Sequence, residues 1–115
     1  KSMQQYFISA LTQAKLSPMK MQHGAVIIKD NKIIGKGYNK YFNCSTDEEI
    51  FSIHAEVSAI QDAKSKNKNN LSNTTMIVIR YKHKKDGSEE ISYSMPCKHC
   101  KKIIEKYNIR TIMYS

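Results

Sequence analysis

Apolar residues recur along the chain at intervals that predict helices and strands in alternation. Residues 4–14 carry apolar side chains at helical spacing, and Pro18 follows, so this segment predicts a first helix. Residues 25–28 form a short β-branched run, residues 30–31 read as a turn, and a second apolar run extends to Tyr38. These two runs predict a β-hairpin directly after the first helix.

The rest of the chain continues with single helices between strands. We expect a polar, irregular loop over 39–52, helices over 54–66 and 97–107, and strands over 74–81, 91–94 and 110–114. A hairpin followed by such alternation predicts a two-layer or three-layer α/β sandwich on one mixed sheet. A length of 115 residues leaves room for one core, so residues 1–115 are expected to form a single domain.

Composition excludes several classes of protein. Hydrophobic residues make up 40% and charged residues 25%, which is ordinary for a soluble globular domain. Since no apolar run approaches the roughly 18–20 residues that span a bilayer, we expect no membrane partner. Cys97 and Cys100 form a close pair, and the total of three cysteines is odd. This pattern speaks against a secreted disulfide framework and favours a reducing, cytoplasmic location.

The net charge of +9 has two interpretations. Lysine supplies nearly all of it, because Arg80 and Arg110 are the only arginines. A lysine-rich surface can be simply solvated, or it can attract nucleotides or single-stranded nucleic acid. The basic segment 82–85 carries the same alternatives, a solvated turn or a phosphate contact.

Two short motifs carry the candidate chemistry. His54-Ala55-Glu56 begins one predicted helix, and Pro96 followed by Cys97 and Cys100 begins another. Cysteines three apart on a first helical turn lie on one face, and a helix N-terminus favours their thiolate forms. With His54 they offer three ligands to one Zn²⁺. The fourth position then stays open for water, which is typical of a catalytic zinc site.

Glu56 makes the set more specific than any of its parts. A lone Cys-x-x-Cys is often structural or redox-active, a histidine at a helix start is often a cap, and a glutamate there often complements the helix dipole. Lying two residues after His54, Glu56 can reach water beside the metal without binding the metal itself. It could accept a proton from that water and pass it to a substrate nitrogen.

The combination of motifs resembles the signature of the zinc-dependent nucleobase deaminases. Over about residues 20–115 the chain is similar to the cytidine and deoxycytidylate deaminase superfamily, and segments 23–27 and 35–39 resemble that family's first hairpin. The resemblance implies a cytidine-deaminase-like α/β/α sandwich with a central mixed sheet of about five strands. It also implies one zinc ion per chain, hydrolytic release of ammonia, and self-association into a homo-oligomer.

The same resemblance implies a role for each matching residue. The implied residues are the zinc ligands His54, Cys97 and Cys100, the proton shuttle Glu56, and substrate contacts at Asn39, Ala55, Ser94 and Met95. Among the substrate contacts, Asn39 corresponds to an asparagine that contacts the sugar. The backbone N–H of Ala55 would hold a base carbonyl, and a carbonyl near Ser94 or Met95 would accept from the exocyclic amine.

The substrate remains open at this point. The expected reaction converts cytosine to uracil in a nucleoside, a deoxycytidylate-like nucleotide or a polynucleotide. The alternatives are an RNA adenosine deaminase and a catalytically silent, zinc-stabilised binding module. Two departures from the family pattern bear on this choice: segment 82–94 lies between the third strand and the cysteine motif, and relatives usually continue beyond residue 114 with elements that shape the pocket.

Overall fold

The computed structural model describes residues 3–19, 21–43, 50–67, 71–93 and 98–112. The helices are α1 (Met3–Leu16), α2 (Ala55–Asn67) and α3 (Lys98–Lys106). The strands are β1 (Gln22–Lys29), β2 (Lys32–Tyr38), β3 (Lys40–Asn43), β4 (Ile50–Ile53), β5 (Thr74–His83), β6 (Glu89–Tyr93) and β7 (Ile109–Ile112). Among the described residues, no helix has the length and apolar character needed to cross a bilayer.

A five-stranded mixed sheet forms the centre of the fold, as predicted. Antiparallel β2 and β1 are joined by a tight turn in which Asp30 and Asn31 have φ angles of 51° and 64°, the geometry that two-residue hairpins favour. β1 also pairs antiparallel with β5. The other edge of β5 is divided, since residues 74–77 pair with parallel β7 and residues 79–83 pair with antiparallel β6.

Alternation along β1 and β5 divides the core into two layers. Val26 and Ile77 face α1, where they pack with Ala10. In each strand, the residues directly before and after them face the opposite side of the sheet. These residues pack against α2 and α3, in a cluster that includes Ala59 and Ile104. The helices therefore cover both faces of the sheet, and the architecture is the expected α/β/α sandwich.

Glycines on β1 and β2 let the helices approach the sheet closely. A Cβ atom at Gly24 would overlap the Ala10 carbonyl oxygen and the Ala14 nitrogen of α1. On the other face, a Cβ atom at Gly37 would overlap the Ala59 nitrogen in α2. Because these contacts are with helix backbone, no side-chain rotation could relieve them. The position of α2 over the sheet thus depends on a missing side chain in β2.

The predicted irregular loop over 39–52 was wrong in part. The structure contains strands β3 and β4 there, which pair antiparallel with each other and lie outside the main sheet. Phe42 pairs with Phe51, and Tyr41 with Ser52. Aromatic residues favour strands, but each of these two strands is short. The acidic, polar stretch between them made the whole segment resemble a loop. Residues 44–49 lie outside the described part of the chain.

Candidate metal centre and active site

The start of α2 positions the first motif. His54 lies between β4 and α2, and its carbonyl accepts the first helical hydrogen bond, from the Ser58 N–H at 3.0 Å. Glu56 falls in the first turn, where a carboxylate complements the helix dipole. Its side chain is nevertheless buried, with 6% of its surface exposed. Ala55 occupies the first helical position, where a backbone N–H has no acceptor within the helix and can serve a ligand.

α3 brings the second motif to the same place. Cys100 is fully buried, and Ile104 one turn later packs in the core beneath α2. Ile103 and Tyr107 pack against that core from the same side, while Lys101 is exposed. This apolar stripe fixes the rotation of α3, and the rotation directs Cys100 toward the start of α2. Its sulfur lies 3.2 Å from Nδ1 of His54.

These side chains form a group that can hold one metal ion. A ring nitrogen of His54, a carboxylate oxygen of Glu56 and the sulfur of Cys100 all lie within 4.8 Å of one another. A nitrogen and a sulfur bound to one tetrahedral zinc are roughly 3.6 Å apart, given bond lengths of about 2.05 and 2.3 Å. The 3.2 Å separation thus needs to widen by only a few tenths of an ångström, and nitrogen and sulfur are the donors that zinc prefers.

Three of the predicted site residues fall outside the described part of the chain. They are the third expected zinc ligand, Cys97, and the two residues expected near the substrate amine, Ser94 and Met95. The structure brings together His54, Ala55, Glu56 and Cys100 from the predicted set.

Asn39 has a structural environment that the sequence did not indicate. Its side-chain oxygen accepts a hydrogen bond from the His23 N–H at 2.8 Å, and its amide donates to the Met21 carbonyl at 2.6 Å. Its own carbonyl accepts a hydrogen bond of 2.7 Å from the Ser17 hydroxyl. Asn39 is buried, with 7% of its surface exposed, and its hydrogen bonds join the segment that leads into β1 to the end of β2. The predicted contact with the sugar stays a prediction, and joining these segments is a second role.

His23 and Arg80 are neighbours of the site that motif analysis missed. They are directly paired across β1 and β5. Burial lowers the pKa of His23, the negative charge of Glu56 opposes that effect, and the positive charge of Arg80 adds to it. The pKa of His23 thus depends on the charges of both the candidate catalytic carboxylate and the guanidinium. The two residues are neighbours because of the register between β1 and β5, and the spacing of residues in the sequence does not reveal that register.

Known structures share this fold. A dCMP deaminase from the cyanophage S-TIM5, in complex with dCMP and dUMP, superimposes with a TM-score of 0.66 at 19% identity, covering 92% of this chain and 74% of the other. Its apo form gives 0.65 at 21% identity, covering 94% and 81%.

A Thermotoga maritima diaminohydroxyphosphoribosylaminopyrimidine deaminase/5-amino-6-(5-phosphoribosylamino)uracil reductase gives a TM-score of 0.57 at 26% identity, over 91% of this chain and 26% of that one. No curated protein sequence matches the chain.

The family assignment rests on the whole sequence and agrees with the geometry. A family model for the cytidine and deoxycytidylate deaminase zinc-binding region matches residues 1–115. The sandwich architecture and the group formed by His54, Glu56 and Cys100 are what such a region requires. The chain therefore belongs to the cytidine and deoxycytidylate deaminase zinc-binding family.

Proposed function

We propose that the protein is a zinc-dependent hydrolytic deaminase that converts cytosine to uracil in a nucleoside, a deoxycytidylate-like nucleotide or a polynucleotide. The observation that carries this proposal is the convergence of a nitrogen, a carboxylate and a sulfur within 4.8 Å of one another. A structural zinc site needs the nitrogen and the sulfur. Structural zinc sites are usually built from cysteine and histidine alone, so a buried carboxylate at the same point favours a hydrolytic site, which needs a general base.

The donor set suits zinc. His54 and Cys100, together with Cys97, would hold the ion, leaving one position for water. Bound zinc supplies Lewis acidity, which brings the pKa of water close to neutrality. The chain's own contribution is to hold Cys100 on α3 and His54 directly before α2, two helices that pack in one core cluster on the same face of the sheet.

Glu56 moves the protons in this proposal. Its carboxylate takes a proton from water and delivers it to the ring nitrogen next to the attacked carbon, and a second transfer lets ammonia leave. Burial in the first turn of α2 restricts its rotamers, which would keep the carboxylate beside the His54 and Cys100 donor atoms. The Ala55 N–H would orient the base by donating to its carbonyl oxygen.

Ammonia release by the zinc-loaded protein tests the proposal directly. The substrates are cytidine, deoxycytidine, their monophosphates, adenosine, and single-stranded DNA and RNA. The control is Glu56→Gln, which keeps the size of the side chain but removes its ability to accept a proton. Zinc content is measured on both proteins, because the variant should retain the metal that His54 and the cysteines bind.

We expect release from a cytosine substrate, reduced at least about 10²-fold in the variant, the low end of what a general acid–base contributes. Release from adenosine or RNA adenine alone would replace the proposal with an adenosine deaminase. No release from any substrate, with zinc bound, would favour a non-catalytic zinc module.

A further inference from the structure

The extension of β5 past the core carries a row of cations on the side of the sheet where α2 begins. Met76 and Val78 face α2 and α3, so the next residues of the same parity, Arg80 and Lys82, continue along that face. The ion pairs agree with this placement. Glu90, which is paired with Lys82 in the β5–β6 ladder, contacts Arg80 diagonally at 3.5 Å.

Among the described residues, this row is incompletely neutralised. Glu90 is shared, since one oxygen lies 3.5 Å from Arg80 and the other lies 3.6 Å from Lys84. All three side chains are 38–48% exposed, and ion pairs of this length and exposure are weak. The adjacent Glu89 accepts a hydrogen bond from the Tyr81 hydroxyl instead. Arg80 and Lys84 thus share one carboxylate, and Lys82 is opposite the same residue in the ladder.

The row lies beside the candidate active site. Arg80 is paired with His23, and the pKa of His23 is shifted by the charges of Glu56, Arg80 and His54 together. An open cavity of about 350 Å³ is lined by Met21, Arg80, Tyr81 and Lys82, at the end of the β1–β5 ladder where Gln22 pairs with Tyr81 and His23 pairs with Arg80. Cavities of this size accommodate small ligands.

We propose that Arg80 and Lys82 form an anion subsite of the active site, which binds the phosphate of the substrate and makes a nucleoside monophosphate the preferred substrate over the free nucleoside. This inference rests on the proposed deaminase function. Arg80 supplies a planar fork of N–H donors that matches phosphate geometry, and Lys82 supplies a mobile point charge. The excess positive charge also attracts a dianionic substrate to the cavity.

Lys82 belongs to segment 82–94, which departs from the family pattern, and Arg80 lies just before that segment. β5 runs to His83, beyond the last residue that β1 pairs, and β6 returns alongside it. Arg80 and Lys82 thus stand on a hairpin whose ladder holds them at fixed positions relative to β1. An unsupported loop in the same place would have to be ordered on binding, which would cost affinity.

The test compares dCMP with deoxycytidine as substrates of the wild type and of the Arg80→Gln and Lys82→Gln variants. For each pair of protein and substrate, kcat/KM is measured. The affinity for dCMP is measured separately by calorimetry on zinc-loaded proteins that also carry Glu56→Gln, so that dCMP is not consumed. Lys85→Gln is the matched control, because Lys85 is exposed and lies in the turn of the same hairpin, beyond the end of β5. A single-stranded DNA oligonucleotide is included as a further substrate.

We expect kcat/KM and affinity for dCMP to fall about tenfold to hundredfold in each variant, as the loss of a charged hydrogen bond predicts. The kcat/KM for deoxycytidine should fall by a much smaller factor, so that the ratio of dCMP to deoxycytidine activity drops in both variants, and Lys85→Gln should keep the wild-type ratio. Equal losses on dCMP and deoxycytidine would overturn the subsite and indicate a structural role. Unchanged dCMP kinetics, or losses confined to the oligonucleotide, would also overturn it.

The subsite and the deaminase function fail in distinguishable ways. If the wild type deaminates deoxycytidine and dCMP with equal kcat/KM, and both variants behave as the wild type, only the subsite is refuted. A wild type that releases ammonia from no substrate would refute the deaminase function and, with it, the subsite as an element of catalysis.

Discussion

Replacing Gly37 by alanine would test whether close packing of α2 on the sheet sets the geometry of the candidate site. A Cβ atom at this position would lie 2.7 Å from both the carbonyl carbon and the Cβ atom of Ser58. It would also overlap the Ala59 nitrogen. Backbone atoms cannot rotate away, so α2 must move outward by at least about 0.7 Å, the difference between 2.7 Å and the 3.4 Å at which ordinary contact begins.

This displacement should reduce both stability and activity. Overpacking of this kind costs about 1–3 kcal/mol of unfolding free energy, and each kcal/mol lowers the Tm of a domain of this size by about 4–8 °C. The start of α2 carries His54 and Glu56. Since a shift of about 1 Å in a catalytic group can cost about 10²-fold in rate, we expect kcat/KM per folded molecule to fall between tenfold and hundredfold.

Gly24→Ala is the matched control, because it introduces the same methyl group on the opposite face, against Ala10 and Ala14 of α1. Urea denaturation and ammonia release are measured for both variants, with activity normalised to the folded fraction. Gly24→Ala should lose stability to a similar extent but keep the activity of the folded enzyme. The reasoning is refuted if Gly37→Ala has wild-type stability, or if both variants lose activity equally.

Three further predictions concern the site and its support. Cys100→Ser should lose zinc on dialysis, because a hydroxyl is a poor substitute for a thiolate; wild-type zinc content in the variant would contradict this assignment. Asn39→Ala leaves the Met21 carbonyl and the His23 N–H without their partners. Since both hydrogen bonds are only partly buried, the substitution should lower the unfolding free energy by about 0.5–1.5 kcal/mol for each bond, and an unchanged urea midpoint would disprove this. Because burial lowers the pKa of His23 below its ordinary 6.5, the unfolded chain binds more protons than the folded one once the pH falls below about 6.5. Stability of the metal-free protein should therefore decline with falling pH, and less steeply in His23→Gln; parallel curves for the two proteins would refute the argument.

The sequence predicted the three helices and the main sheet because their apolar periodicity is strong. Met76, Val78 and Ile104, for example, stand at strand and helix intervals and are all buried in one cluster. The pairing of β3 with β4 was missed because each strand has four residues and its partner is the other short strand. Neither strand carries a long enough pattern to be recognised, and the strands stabilise each other only once the chain has folded.

The same distinction applies to the site. His54, Glu56 and Cys100 could be predicted because metal chemistry demands particular residue types at short, fixed spacings. Arg80 and His23 follow no such rule. They become neighbours through the register of two strands that are distant in sequence. The hydrogen bonds of Asn39 were not predicted for the same reason, since its partners Ser17, Met21 and His23 lie 16 to 22 residues earlier in the chain.

The division of β5 between two partners has an evolutionary consequence. The hairpin tip is closed by the Lys84 N–H donating to Ser88 and by the Gly87 N–H donating to Lys84. A ladder from His83 with Glu89 to Ile79 with Tyr93 separates this tip from the rest of the chain. The space around Gly87 is open, and its φ of 92° is a backbone conformation that favours glycine at this position. Insertions at the tip therefore have no path by which to disturb the metal-binding helices. Natural variation can lengthen or recharge this turn while the catalytic scaffold is inherited intact, and a reporter peptide can be inserted at the same point.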